Sequence, residues 1–117
     1  MNHMSSPIDF SALLEMLGGD QQIVASLLSK FVDELTADLT ASAQASANQD
    51  AEALRQIAHR IKGTSANLHA LMLSAAAREL EQACTEADAS LMTIKRQVMS
   101  DQARLVREAI EGWRTDS

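Results

Sequence analysis

The chain has 117 residues, of which 46% are hydrophobic, 22% are charged and only 3% are aromatic, and its formal net charge at pH 7 is −6. This length supports one hydrophobic core, so we expect a single domain over residues 8–117, preceded by a lead of residues 1–7 that is disordered or derived from cloning. We do not expect the protein to bind nucleic acid, because its net charge is negative and the sequence has no extended basic stripe.

The cysteine content and the hydropathy narrow the cellular context. Cys84 is the only cysteine, so the chain cannot form an internal disulfide, which suits a reducing compartment. No apolar run reaches membrane-spanning length, and the N-terminus lacks the basic and then apolar form of a signal peptide. We therefore predict a cytoplasmic protein that does not bind membranes.

Hydrophobic periodicity predicts helices throughout the chain, because apolar residues recur at steps of three and four and no hairpin signal is present. Asp9 and Asp20 are predicted caps, and Gly18-Gly19 ends the first helix. The predicted helices cover residues 5–18, 20–47, 50–68, 70–87 and 91–114. Short turns join them, so the predicted fold is all-α: an antiparallel up-down four-helix bundle with a short extra N-terminal helix.

Each main helix carries a predicted inner face. The second helix has Val24, Leu27, Leu28, Phe31, Val32, Leu35 and Leu39. The fourth has Leu73, Ala76, Ala77, Leu80, Ala83, Cys84 and Ala87, which indicates that the cysteine is an inert core thiol. The last has Leu91, Ile94, Val98, Leu105, Val106, Ala109, Ile110 and Trp113. Three acidic residues, Asp33, Glu34 and Asp38, fit a solvated helical face better than a metal cluster.

The predicted third helix has an unusual outer face. His59 points away from the apolar stripe of this helix, and Lys62, Gly63 and Ala66 follow it on the same side. A glycine within an exposed helix costs about 1 kcal/mol relative to alanine, and nothing in the local sequence offsets that cost. We infer that the glycine leaves space for a large partner that must reach the histidine.

These residues form a recognisable signature. The pattern His59-x-x-Lys62-Gly63-Thr64-Ser65, then Leu68-x-Ala70 and later Leu80-Glu81, resembles that of histidine-containing phosphotransfer (HPt) domains. The resemblance implies a four-helix bundle that relays a phosphoryl group between aspartates of receiver domains in a multistep two-component phosphorelay. It also implies a carrier without kinase activity of its own. One position departs from the family, since His69 replaces the usual glycine before Ala70, which leaves the geometry of the following turn open.

The resemblance also implies roles for individual residues. His59 is the expected acceptor, attacking through Nε2, and Lys62 is expected to stabilise the phosphoryl charge. The expected partner contacts are Arg55, Gly63, Ser65, Ala66, Glu81 and Gln82. For Ser65, a hydrogen bond to a carbonyl within its own helix is an equally good interpretation. The expected partners are receiver domains of response regulators and of a hybrid sensor histidine kinase. We expect a monomer with no intrinsic cofactor, to which the receiver brings Mg²⁺.

Two other functions fit parts of the pattern. A helical adaptor would bind a partner through the same face without chemistry, and it would tolerate replacement of His59. A metal site built from His59, His69 and a carboxylate is less favoured, because ten residues separate the two histidines and the first lies on an open helix face.

Overall fold

The structure is a computed structural model that describes residues 6–116, and within this range it contains five α-helices and no strand. The helices are α1 (Phe10–Met16), α2 (Gln21–Ala47), α3 (Ala51–Asn67), α4 (Leu71–Thr85) and α5 (Ala89–Asp116). The predicted all-α fold is therefore confirmed. Residues 1–5 of the predicted lead lie outside the described residues, whereas Ile8 is already buried in the core.

Aspartates define where four of the helices begin. The side chains of Asp9, Asp20, Asp50 and Asp88 accept backbone N–H groups two or three residues later, at 3.0–3.1 Å. Each carboxylate satisfies an amide that would otherwise lack a partner at the start of the helix. The cap at Asp88 explains why α5 begins at Ala89, two residues earlier than the apolar pattern predicts.

Three turns between helices use a left-handed residue that is not glycine. Gln49, His69 and Ala87 have φ angles of 56°, 60° and 55° and follow α2, α3 and α4 respectively. In each turn the next residue donates its N–H to the carbonyl five positions earlier, at 2.9, 2.8 and 3.3 Å. This is the Schellman arrangement, in which glycine is usual. His69 thus keeps the turn that a glycine would form at this position, at the expense of backbone strain.

Replacing Ala87 with Gly is expected to raise the free energy of unfolding by about 0.5–1 kcal/mol. The left-handed conformation strains a residue with a Cβ atom, and this relief exceeds the entropy that glycine loses on folding. Urea denaturation of the two proteins measures the difference. Ala75→Gly is the matched control, because Ala75 is exposed in the middle of α4 and the same substitution should destabilise there by about 1 kcal/mol. Destabilisation by both substitutions would contradict the account of the turn.

The four long helices form a closed ring in which each packs against two others. At least one side-chain link marks each boundary. Arg60 pairs with Asp38 between α3 and α2, and Lys62 pairs with Glu81 between α3 and α4. Lys95 pairs with Glu79 between α5 and α4, and Arg107 donates to the Thr36 hydroxyl between α5 and α2. The helices α3 and α4 therefore present one outer face of the bundle, and the α2–α5 boundary lies opposite.

The short helix α1 covers one end of the bundle, as predicted. The rings of Phe10 and Trp113 are stacked, with centroids 5.5 Å apart and planes inclined by 4°. The N–H of Asp9 donates to the carbonyl of His69 at 3.0 Å, which ties the start of α1 to the α3–α4 turn. Leu13 lies fully buried beneath this end.

The predicted inner face of α5 is confirmed near its C-terminal end and wrong at three positions. Val106 and Ile110 are fully buried as predicted, whereas the relative exposure is 56% for Ile94, 43% for Val98 and 36% for Leu105. The buried stripe also contains Met99 and Ala103, which were not predicted, and Met92 and Trp113 are partly buried at its ends. The helix carries two apolar stripes about a third of a turn apart, and α2 and α4 pack on the less branched one.

Two smaller corrections concern α2 and α4. Leu27, predicted to face inward, is 36% exposed, whereas Val24, Leu28, Phe31 and Leu35 on the same helix are buried. Ala87 is exposed because α4 ends at Thr85 and the chain turns before reaching it. The remaining predicted inner residues of α4, including Cys84, are buried.

Candidate functional site

His59 lies on the outer face of α3. Its neighbours in the helix, Ile57, Ala58 and Ile61, are buried, and they fix the rotation of the helix against the core. The imidazole consequently projects from the bundle, and 65% of its side-chain surface is exposed. The prediction that His59 points away from the core is therefore confirmed.

Glu81 on α4 joins His59 to Lys62. One carboxylate oxygen, Oε2, lies 2.8 Å from His59 Nδ1, and the other, Oε1, lies 2.8 Å from Lys62 Nζ. A carboxylate only accepts hydrogen bonds, so Nδ1 carries the proton and its N–H donates a hydrogen bond to Glu81. In the neutral ring Nε2 is then unprotonated and has its lone pair available. Glu81, predicted as a partner contact, orients the histidine through this hydrogen bond.

The surroundings of Glu81 favour its charged form. The hydrogen bond from Lys62 is the largest effect and holds the pKa of this carboxyl below its usual range. Burial opposes it with a smaller effect, and the hydrogen bond from His59 lowers the pKa further. Only 17% of the Glu81 side-chain surface is exposed, and 31% of that of Lys62, so solvent screens this pair less than a fully exposed one. The carboxylate stays ionised at neutral pH and keeps the imidazole in one orientation.

Glu81→Gln is expected to reduce the sensitivity of folding to acid. Because the pKa of Glu81 is lowered in the folded state, its stabilising contribution is complete above its ordinary pKa of 4.5 and is lost as the pH falls below that value. The variant should be less stable by about 1 kcal/mol at pH 7 and should approach the original protein below pH 4. Thermal unfolding at a series of pH values measures this, and a pH-independent difference would contradict it.

The surface next to the histidine is open. Gly63 and Ala66 are exposed, and apart from the adjoining backbone of α3, a Cβ atom built on Gly63 would have no atom of the described chain within 4 Å. The fold itself therefore does not require glycine at position 63. This agrees with the interpretation that the glycine leaves room for another molecule.

Ser65 does not belong to this surface. Its side chain is fully buried, and its hydroxyl donates to the carbonyl of Ile61 in the same helix. The prediction that Ser65 contacts a partner was therefore wrong, and the alternative of a hydrogen bond within the helix is correct. Thr64 likewise donates to the carbonyls of Arg60 and Ile61, at 3.1 and 3.3 Å.

The other predicted contacts lie around the histidine but have local partners. Arg55 is four residues before His59 and forms two hydrogen bonds with Glu52, at 2.7 and 2.9 Å. On α4, Gln82 is exposed and donates to Glu86 at 3.0 Å. The structure thus joins Lys62 and Glu81 to His59 and places Arg55 about one turn before His59 on the same helix, whereas the hydrogen-bond partner of Gln82 is Glu86.

Sequence reasoning missed two residues that support the site. Ser74 on α4 donates its hydroxyl to the carbonyl of Lys62 at 2.9 Å, which fixes α4 against the helix that carries His59. Glu52 holds the guanidinium of Arg55. Helical spacing in the sequence could have identified both residues. Ser74 lies two turns before Glu81 on the same face of α4, and Glu52 lies three residues before Arg55, a spacing at which side chains of a helix meet.

Neither a metal cluster nor a reactive thiol accompanies the histidine in the described part of the chain. Within residues 6–116 no three His, Cys, Asp or Glu side chains are grouped so that they could hold a metal ion, which leaves the His59 and His69 metal hypothesis without support. Burial raises the pKa of the Cys84 thiol, and this disfavours the thiolate that a nucleophile or ligand would need.

Apolar side chains extend the exposed surface on both sides of α3. Leu71, at the start of α4, is 63% exposed. On the other side, Leu27 of α2 lines a shallow depression together with Thr64 and Asn67 of α3. Ile23 lies one turn before Leu27 on α2 and is 47% exposed. None of the helices in residues 6–116 is both long and apolar enough to span a bilayer.

Comparisons with known proteins agree on one family. A family model described as Hpt domain matches residues 26–115, which is well over half of the chain. Among solved structures, the chain is similar to histidine-containing phosphotransfer protein B (HptB) from Pseudomonas aeruginosa PAO1. The TM-score is 0.87 and the sequence identity 25%, over 97% of this chain and 98% of that chain. A comparison with curated protein sequences returned no significant match.

Proposed function

The chain belongs to the Hpt domain family and is a histidine phosphotransfer protein of a phosphorelay, and from this premise we propose that His59 is its phosphoryl acceptor. The observation that carries the proposal is the hydrogen bond between His59 Nδ1 and Glu81, which leaves Nε2 as the nucleophilic nitrogen on an exposed ring. Gly63 beside it gives a partner protein access. We propose that the partners are receiver domains of response regulators and of a hybrid sensor kinase.

The geometry supports a direct transfer. His59 Nε2 attacks the phosphorus of an aspartyl phosphate on the partner, the bond between phosphorus and the aspartate oxygen breaks, and the aspartate leaves as a carboxylate. The phosphorylated ring carries a positive charge, which the Nδ1–H bond to Glu81 stabilises. In the reverse direction the same atoms return the phosphoryl group to a receiver.

Lys62 supplies positive charge beside the phosphoryl group. Its ammonium is 2.8 Å from Glu81 in the unphosphorylated site and lies one turn from His59 on the same helix. An ammonium can move between two acceptors at little cost, because its flexible stem carries three donors. We propose that Lys62 shifts from Glu81 towards the phosphoryl oxygens once the transfer has occurred.

The partner is proposed to contribute what this chain does not hold. Mg²⁺ bound by the receiver would neutralise charge on the phosphoryl oxygens, and we assign no residue of this chain to it. The protein then acts as a monomeric carrier without kinase activity, and a cytoplasmic location follows from the proposed partners. The apolar residues Leu27, Ile23 and Leu71 flank the open surface at Gly63 and Ala66, and they would provide the contact area for a docked receiver.

The experiment that tests this function is the transfer of radiolabelled phosphate from a phosphorylated receiver domain. The expected product is an acid-labile and base-stable label that mass spectrometry of peptides locates on His59. Binding of receivers without any labelled histidine would overturn the carrier function and favour the adaptor. A label located on a different residue would overturn the assignment of the acceptor.

A further inference from the structure

We propose that Arg55 is the second cation, after Lys62, that binds the phosphoryl group on phosphorylated His59. Before phosphorylation, Glu52 binds Arg55 and keeps it beside the site. This inference rests on the proposed function, because it concerns the phosphorylated form of the same site. It assigns Arg55 to the phosphoryl group rather than to a partner surface, and it gives Glu52 a positioning role.

The unphosphorylated site shows where Arg55 is held. Its Nε and Nη2 donate to the two carboxylate oxygens of Glu52 at 2.9 and 2.7 Å, and Gln56 donates to the same carboxylate at 3.0 Å. The Glu52 side chain is 62% exposed and that of Arg55 is 36% exposed. Solvent screens an ion pair with this exposure, so the pair is weak and can be broken by a stronger acceptor.

Arg55 lies within the electrostatic field of the acceptor site. It precedes His59 by four residues, which places both side chains on one face of α3 about one turn apart. The pKa of its guanidinium is raised first by the hydrogen bond to Glu52 and also by the charge of Glu81, the carboxylate that holds His59. Glu81 and Arg55 therefore interact across the α3–α4 groove.

The charge balance of the site explains why a second cation is needed. Before transfer, the charges of Glu52, Arg55, Lys62 and Glu81 cancel around a neutral imidazole. A phosphoryl group adds about −1.5 to −2 at pH 7. Glu81 remains bound to the protonated Nδ1, and the positive charge of the phosphorylated ring balances it. Lys62 alone therefore leaves part of the phosphoryl charge unbalanced. A guanidinium offers two parallel N–H donors that match phosphoryl oxygens, and this favours exchange of Arg55 from Glu52 to the phosphoryl group.

The test uses ¹⁵N-labelled protein phosphorylated with phosphoramidate, so that partner recognition is not involved. Nε2 of His59 displaces ammonia from the phosphorus, and ³¹P NMR follows the phosphohistidine. Arg55→Gln is expected to raise the second pKa of the phosphoryl group by about 0.3–0.7. Arg60→Gln is the matched control, since Arg60 is on the same helix but pairs with Asp38 on the α2 side, and it should leave that pKa unchanged. The Arg55 Nε–H resonance of the original protein should also shift on phosphorylation.

The outcomes separate this inference from the proposed function. If His59 is phosphorylated but Arg55→Gln titrates like Arg60→Gln, the role of Arg55 is wrong and the acceptor assignment stands. If the phosphoryl pKa moves but the Arg55 Nε–H resonance does not, the exchange from Glu52 is overturned. If no phosphohistidine forms at position 59, the proposed function fails and this inference fails with it.

Discussion

His59→Gln is expected to reduce phosphoryl transfer from a phosphorylated receiver to the level of a blank reaction. The amide of glutamine has no basic nitrogen that could attack phosphorus, so the loss should be complete rather than partial. The His59 side chain is 65% exposed, so the free energy of unfolding should change by only about 0.5 kcal/mol. Transfer of radiolabel within the first minutes and urea denaturation measure the two effects.

His69→Gln is the matched control for this loss. His69 is ten residues further along, in the α3–α4 turn, where its backbone carbonyl accepts the N–H of Asp9. Glutamine is compatible with that turn, since Gln49 adopts a similar φ of 56° in the α2–α3 turn. The variant should therefore keep transfer near the original rate. Full transfer by His59→Gln, or equal loss in both variants, would contradict the assignment of the acceptor.

The sequence predicted the helices well because their signals are local. Aspartate caps, the glycine pair at 18–19 and the apolar repeats depend on neighbours within one or two turns. The inner face of α5 depends on other helices, and there the prediction failed for Ile94, Val98 and Leu105. Ile94 and Val98 are more hydrophobic than Met99 and Ala103, yet the latter pair is buried because α2 and α4 approach on that side. Periodicity finds both stripes of a helix but does not select between them.

The exposed position of the proposed acceptor was predictable, whereas the groups that orient it were only partly so. His59 and Gly63 stand out within one helix, because their positions relative to the apolar stripe follow from counting residues. The hydrogen bond from His59 to Glu81 joins residues 22 apart in the sequence, and only the packing of α3 against α4 brings them together. For Ser65 the helical pattern was the better predictor. Its place in the apolar stripe of α3 indicates burial, which the structure shows, whereas its place in the family signature implied a partner contact.

Gly63→Arg is expected to abolish transfer while it stabilises the fold. A Cβ atom at this position meets nothing within 4 Å beyond the adjoining backbone of α3, so the side chain starts in the open space that a receiver must occupy to reach Nε2 of His59. Displacement of the reacting atoms by as little as 1 Å lowers such rates by about 100-fold, and an arginine would displace them further. Helix propensity should at the same time raise the free energy of unfolding by about 0.5–1 kcal/mol. Transfer assays and urea denaturation of the same preparation measure both effects.

Gly112→Arg provides the control that isolates the steric effect. Gly112 is also exposed in a helix, and a Cβ atom there would meet nothing within 4 Å beyond the adjoining backbone of α5. It lies outside the α3–α4 face. The substitution adds the same charge to the protein, so a general electrostatic effect on receiver binding would appear in both variants. Transfer should be retained by Gly112→Arg. Gly63→Ala should lower transfer far less than Gly63→Arg, because a single methyl group takes up much less of the space that the partner needs. If Gly63→Arg transferred normally, the glycine would have no role in access, and the open surface beside His59 would not be where the receiver docks.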